Sequence, residues 1–168
     1  VELVRALDDD SEFVRAPAAV ALGNLGIPVP EAIPRFVRLA AETNEFVRIN
    51  CFPLLYRMQV PAEHAVPLLQ RALGESSPEL HYSALNALGA YGPQASPARR
   101  LALTFATNAE PTVRSITIRA LGRMGSPDPS TLAALSQSLK DSEFTIQVDA
   151  LQALGNLGPP AKPAVARI

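Results

Sequence analysis

Apolar residues return along this chain at two spacings, one nested inside the other. Within segments of a dozen or so residues they recur every three or four positions, the period of a helix with one buried face. The segments themselves return every 33 residues: SEFVRAPAAVALGNLG at 11–26, NEFVRINCFPLLYRMQ at 44–59, SPELHYSALNALGAYG at 77–92, EPTVRSITIRALGRMG at 110–125 and EFTIQVDALQALGNLG at 143–158. A fixed period of this length predicts a stack of supersecondary units, none able to bury its apolar side alone.

Each of these segments predicts a helix, here called helix B. Its apolar columns are Val14, Val47, Leu80, Val113 and Ile146; Ala18, Cys51, Ala84, Thr117 and Ala150; and Leu22, Leu55, Leu88, Leu121 and Leu154. They fall at i, i+4 and i+8 on one face, and the small middle column lets neighbouring helices approach. A second helix, helix A, is predicted before each B over roughly 31–42, 64–74, 97–107 and 130–140, with partial copies at 1–7 and from Pro163 to Ile168. Its face is carried by Leu3, Phe36, Leu69, Ala102 and Leu135 and by Leu7, Ala40, Leu73, Ala106 and Leu139.

Short polar turns between A and B, such as DDDS at 8–11 and KDSE at 140–143, supply acceptors for the first amides of helix B and acidic groups for the positive end of its dipole. Gly23, Gly89, Gly122 and Gly155, then Gly26, Gly92, Gly125 and Gly158, are expected to close four of the five B helices as left-handed caps, each followed by a proline-bearing link. Repeat two departs from this: Tyr56 and Gln59 replace the glycines, and Pro53 inside helix B should kink it, which makes Asn50, Pro53, Tyr56 and Arg57 a candidate site.

The paired helices, the V-R opening of helix B, its A-x-x-A-L-G-x-[LM]-G ending and the proline that follows resemble HEAT repeats, particularly the short bacterial kind also called phycobilisome-lyase HEAT-like repeats. The resemblance covers nearly the whole chain. It implies an all-α fold, a right-handed α-solenoid of antiparallel helix pairs, and a single domain over 1–168 with about five repeats. Both ends fall inside a helix A, so the expectation is a fragment of a longer array, with end-to-end self-association through the uncapped terminal repeats as the alternative.

Composition narrows the function classes. Across 168 residues, 48% hydrophobic content argues for a packed core rather than disorder. Fifteen Lys and Arg against 16 Asp and Glu leave no bulk field for nucleic acid or an anionic membrane, and there is no tryptophan. Nucleic acid and membrane are therefore not expected partners. Cys51, the single cysteine, excludes an internal disulfide and a cysteine-built metal site, and fits a reducing, cytoplasmic setting. His64 and His81 have no ligand set around them, no phosphate loop follows a strand, and no cofactor or catalytic constellation is expected.

One charged pattern repeats. Arg15, Arg48 and Arg114, continued by His81 and Gln147, stand at the start of helix B, and six residues before each stand Asp9, Glu42, Asn108, Glu75 and Asp141 in the corresponding turns. Opposite polarity at a constant offset predicts a structural ladder in which a guanidinium pairs with the turn of its own or the adjacent repeat; HEAT repeats are known for such a ladder.

Columns that vary between repeats are free to serve as surface. On helix B these include Phe13 and Phe46; Asn50, Ile116 and Asp149; Asn86, Arg119 and Gln152; and Arg57 and Arg123. The resemblance places them on the concave side, where partners bind. The face runs from apolar at Phe13 to basic at Arg119 and Arg123, which predicts a groove for a protein or peptide segment with an apolar end and an acidic end. The expected function is thus a non-enzymatic protein-interaction scaffold. The alternatives are a bilin-lyase-like subunit acting on phycobiliproteins, implied by the resemblance alone, and a nucleic-acid-binding solenoid, which the charge balance disfavours.

Overall fold

The computed structural model of the chain describes residues 2–26, 29–125 and 127–161. The regular structure of the described residues is all helical, with no strand among them. Ten α-helices follow in order: α1 (Glu2–Ala6), α2 (Glu12–Leu25), α3 (Ile33–Ala41), α4 (Glu45–Leu55), α5 (Ala62–Leu73), α6 (Pro78–Tyr91), α7 (Arg99–Leu103), α8 (Pro111–Arg123), α9 (Pro129–Ser138) and α10 (Phe144–Leu157). Odd numbers are A helices and even numbers B helices. The partial A helix expected from Pro163 to Ile168 lies outside the described residues.

The chain divides into two compact units, Val1–Ala87 and Leu88–Ile168. In the first, α1 packs on α2, α3 on α4 and α5, and α2 on α4; in the second, α7 packs on α8, α9 on α10, and α8 on α10. The core of each unit is filled by the repeated columns. Phe36, Val47, Leu55, Leu69 and Leu80 are fully buried in the first, and Leu121, Leu135, Ile146 and Ala150 in the second. Burying a side chain of this size contributes about 1.5–3 kcal/mol, so the columns that recur are those that hold the repeats together.

Three expectations are corrected. The A helix predicted over 97–107 is α-helical only at Arg99–Leu103, because the proline-bearing stretch Gly92–Ala98 forms a 3-10 helix before it. Gly23, Gly89, Gly122 and Gly155 are not left-handed caps: all four lie within helix B, and only Gly26, Gly92, Gly125 and Gly158 among the glycines have positive φ. Gly23, Gly89 and Gly122 serve close approach instead. A Cβ on Gly122 would stand 2.5 Å from Ala153 Cβ and 2.6 Å from its Cα, and one on Gly89 would stand 3.2 Å from Ala120 Cα. In the first unit the same column seats Leu54 Cδ2, 2.4 Å from a Cβ placed on Gly23. The residue received is 31 positions further on each time, so one helix B is seated on the next by a glycine notch.

Thirdly, repeat two keeps its cap although it has lost the glycine. Gln59 has a positive φ, 55°, as glycine has at the same position in the other four copies. Val60 N–H donates to Leu55 O at 2.9 Å and Gln59 N–H to Tyr56 O at 3.0 Å, the paired bonds of a Schellman cap, with Val60 and Leu55 both buried. A side chain in that region costs about 1–2 kcal/mol. Gln59→Gly is therefore expected to stabilise the chain by about 1 kcal/mol, read as a rise of ~2–4 °C in melting temperature; no rise would show that the cap carries no strain.

Pro53 also has a structural counterpart. It lacks the N–H that would bond Ile49 O, and the buried Ser83 Oγ donates to that carbonyl at 2.9 Å instead. With this helix ending at Leu55, α4 is 11 residues long against 13 or 14 in the other B helices.

Candidate functional site

Two families of side chains are placed by this packing, one at the A-to-B turns and one on the outer face of the B helices. At the turns, Arg15 and Arg114 at the start of helix B each make two kinds of contact. Arg15 Nη1 donates to Asp9 O and Asp10 O of its own turn, while its Nε and Nη2 grip both oxygens of Glu42 at 3.0 and 2.7 Å. Arg114 repeats the arrangement, with Asn108 O and Ala109 O on one side and both Asp141 oxygens at 2.9 Å on the other. Arg48 holds Glu75 with both terminal nitrogens.

The carboxylate always comes from the following turn, 27 residues on. His81 and Gln147, in the same column, reach back to the turn carbonyls Glu75 O and Asp141 O at 2.6 and 2.8 Å. Asp9, Asn108 and Asp141 also accept the backbone N–H two residues ahead, which fixes the turn before helix B begins.

The Arg48 guanidinium holds the Glu75 carboxyl below its ordinary value, and Arg114 does the same for Asp141. These groups are spoken for by one another. Arg48 is buried, and its Nε has no acceptor, so this rung is the one most dependent on its partner. A shallow cleft of about 340 Å³, lined by Thr107, Asn108, Gln137 and Lys140, lies beside the Arg114–Asp141 rung.

The outer face of the B helices is different. In the first unit Phe13 and Phe46 are exposed by 74% and 48%, their ring centroids 6.1 Å apart at an interplanar angle of 44°. Arg57 is exposed, and Asn50 and Asn86 are half-buried, Asn50 donating to Phe46 O at 2.8 Å. In the second unit Arg123 and Gln152 are exposed and Arg119 is half-buried. Among the described residues the ion-paired arginines are Arg5, Arg15, Arg35, Arg38, Arg48 and Arg114; Arg119 and Arg123 are in none of these pairs.

Two members of the predicted face do not serve it as expected. Ile116 is 2% exposed and belongs to the core, because with Val113, Thr117 and Ala120 it widens the buried stripe of α8. Asp149, half-buried, accepts from Ser115 Oγ at 2.6 Å and ties α10 to α8. That cross-helix bond was open to sequence reasoning only as a serine and an aspartate 34 residues apart, one position beyond the repeat.

Among the described residues no three His, Cys, Asp or Glu side chains gather as metal ligands, and no helix is long and apolar enough to cross a membrane. Cys51 is fully buried, its thiol directed at Phe36 O, and burial pushes the thiol well above its ordinary pKa.

A family model of HEAT repeats matches residues 99–168. The fold is that of the HEAT and armadillo repeats. It is shared, at 19% identity and a TM-score of 0.77 over 99% of this chain and 83% of the other, with an engineered protein. A designed armadillo repeat protein in complex with the peptide (KR)4 matches at 20% identity and a TM-score of 0.73, over 93% of this chain and 80% of the other. The complex of CpcE and CpcF of phycocyanin lyase from Nostoc sp. PCC7120 matches at 19% identity and a TM-score of 0.66, over 90% of this chain and 95% of the other. No curated protein matches the chain. In HEAT terms, the arginine rungs and glycine notches join one repeat to the next, and of the varied positions of helix B Phe13, Phe46, Arg57, Arg123 and Gln152 are exposed.

Proposed function

We propose that this chain is a protein-binding scaffold, and that the outer faces of its B helices take segments of partner proteins. The first unit offers an apolar face at Phe13 and Phe46, suited to aromatic or aliphatic side chains; the second offers a basic one at Arg119 and Arg123, suited to carboxylates. The observation that carries this reading is the exposed Phe13–Phe46 pair. Two large aromatics held side by side in water, at equivalent positions of successive repeats, expose apolar area that a solvated face does not need. The designed armadillo protein that holds (KR)4 gives the general precedent of a peptide on this fold. The likeness to CpcE and CpcF is one of fold.

The test is a selection from a displayed random peptide library against the folded 168-residue chain. Enrichment of peptides rich in aromatic and aliphatic residues, and of peptides with clustered Asp and Glu, supports the two faces. Recovery of basic peptides only, or of none above background, overturns the assignment.

A further inference from the structure

Phe46 and Ile49 lie one turn apart on one side of α4, and Glu79 and Tyr82 stand at the same two positions of α6, 33 residues on. Hydrogen bonds fix the register of the two helices here. Ser83 Oγ of α6 donates to Ile49 O at 2.9 Å, and Ser77 Oγ, at the head of α6, donates to Glu45 Oε1 of α4. Phe46 and Tyr82 are 48% and 43% exposed, Ile49 is half-buried, and the Phe13 ring of α2 lies beside that of Phe46. The apolar face of the first unit therefore runs on from Phe46 across α6, and its edge is charged.

Two carboxylates meet at that edge without a cation. Glu45 and Glu79 are both exposed, and both reach the one Ser77 hydroxyl, which lies 3.3 Å from Glu79 Oε2 and accepts the Leu80 N–H. A hydroxyl has a single proton to give, so it serves one of the two charges at a time. Glu45 and Glu79 are in none of the ion pairs among the described residues. Arg48, the cation whose field Glu45 feels, has both terminal nitrogens on Glu75, and Arg15 is held by Glu42.

We propose that this corner of the face is a subsite for an arginine side chain of a partner segment, its guanidinium spanning the Glu45 and Glu79 carboxylates with its flat side against the exposed aromatic rings. Arginine suits it because a planar fork of N–H donors serves two carboxylates at once and its plane stacks on an aromatic face, whereas an ammonium has no such plane. The inference rests on the reading of Phe13 and Phe46 as a binding face, and adds the residue that must stand beside the apolar anchor. A segment for the first unit is thus apolar and basic, while the Arg119 and Arg123 face calls for carboxylates.

The experiment measures, by fluorescence anisotropy, the binding of three synthetic peptide pools in which Leu and Phe alternate with Arg, with Lys or with Gln. The native chain should bind the Arg pool about tenfold more tightly than the Gln pool, with the Lys pool between them. Glu45→Gln with Glu79→Gln should bring the Arg pool down to the level of the Gln pool and leave the Gln pool unmoved. Glu31→Gln with Glu63→Gln, which removes the same charge from exposed positions elsewhere in the unit, should keep the preference. Phe46→Ser should weaken all three pools. Equal binding of the Arg and Gln pools by the native chain overturns the subsite, with the apolar face still standing if Phe46→Ser weakens both. A preference lost equally in either glutamine pair, or a Lys pool bound as tightly as the Arg pool, also overturns it. A native chain that binds no pool overturns the face and the subsite together.

Discussion

Gly122→Ala is expected to destabilise the chain by about 3 kcal/mol, while Gly155→Ala stabilises it by up to about 1 kcal/mol. The two glycines occupy the same place in the same motif, and both are helical. Their surroundings decide the sign. The new methyl at Gly122 meets Ala153 Cβ and Cα at 2.5 and 2.6 Å, and since Cα is backbone, α8 and α10 must move apart as whole helices. At Gly155 no described residue stands within 4 Å of the added Cβ, so the methyl removes backbone freedom from the unfolded chain and displaces none of them. Chemical denaturation of the two variants at low protein concentration reads both effects. Equal shifts would show that the inner glycines act as caps after all.

Glu75→Ala is expected to cost about 2 kcal/mol, more than loss of the exposed Glu2–Arg5 pair, for which ~0.2–1 kcal/mol is usual. Arg48 is 5% exposed, and without Glu75 its charge has no carboxylate partner in a largely desolvated place. The figure is set below that for a fully buried pair because the Glu75 side chain is 40% exposed. Adding Arg48→Met should recover most of the loss, since removing both charges leaves nothing buried and unpaired. The same rung gives a pH dependence. The Glu75 carboxyl is held below its ordinary value of 4.5 by its hydrogen bonds to Arg48, and Asp141 below 3.8 by those to Arg114. A carboxyl lowered on folding stabilises the folded chain fully above its ordinary value, and that contribution fades as pH falls through the lowered one. Melting temperature should therefore fall below about pH 4.5, and less steeply in the Glu75→Ala, Arg48→Met double variant. An unchanged slope in that variant would contradict the assignment.

The repeat, the helix pairs and the core columns could be read from the sequence because packing imposes the same demand on every copy. Val14 and its mates recur since each helix B must bury that position, and Arg15, Arg48 and Arg114 recur with acids at one offset. The partner of each arginine could not be read as surely: the acid of its own turn and that of the next are equally regular in sequence, and the geometry takes the backbone carbonyls of the first and the carboxylate of the second. Glycine roles were opaque for a similar reason. Gly23 and Gly26 look alike as letters, yet one seats a neighbouring helix and the other turns the chain at φ 68°. Gln59 shows the converse, a position whose conformation persists after the residue that favours it has gone. Ile116 marks the limit of reading surface from variation, since a column that changes from Pro17 to Asn50 to Ser83 to Ile116 changes its burial as well as its chemistry.

The central claim is that the residues that break the repetition bind, while those that keep it hold the fold. It is tested most directly by measuring the affinity of peptides selected on the native chain for two double variants, Phe13→Ser with Phe46→Ser and Arg119→Glu with Arg123→Glu. The first pair should lose the apolar peptides by at least tenfold and keep the acidic ones. The second should do the reverse, and both should melt close to the native chain. Undiminished binding of both peptide classes by both variants would contradict the account.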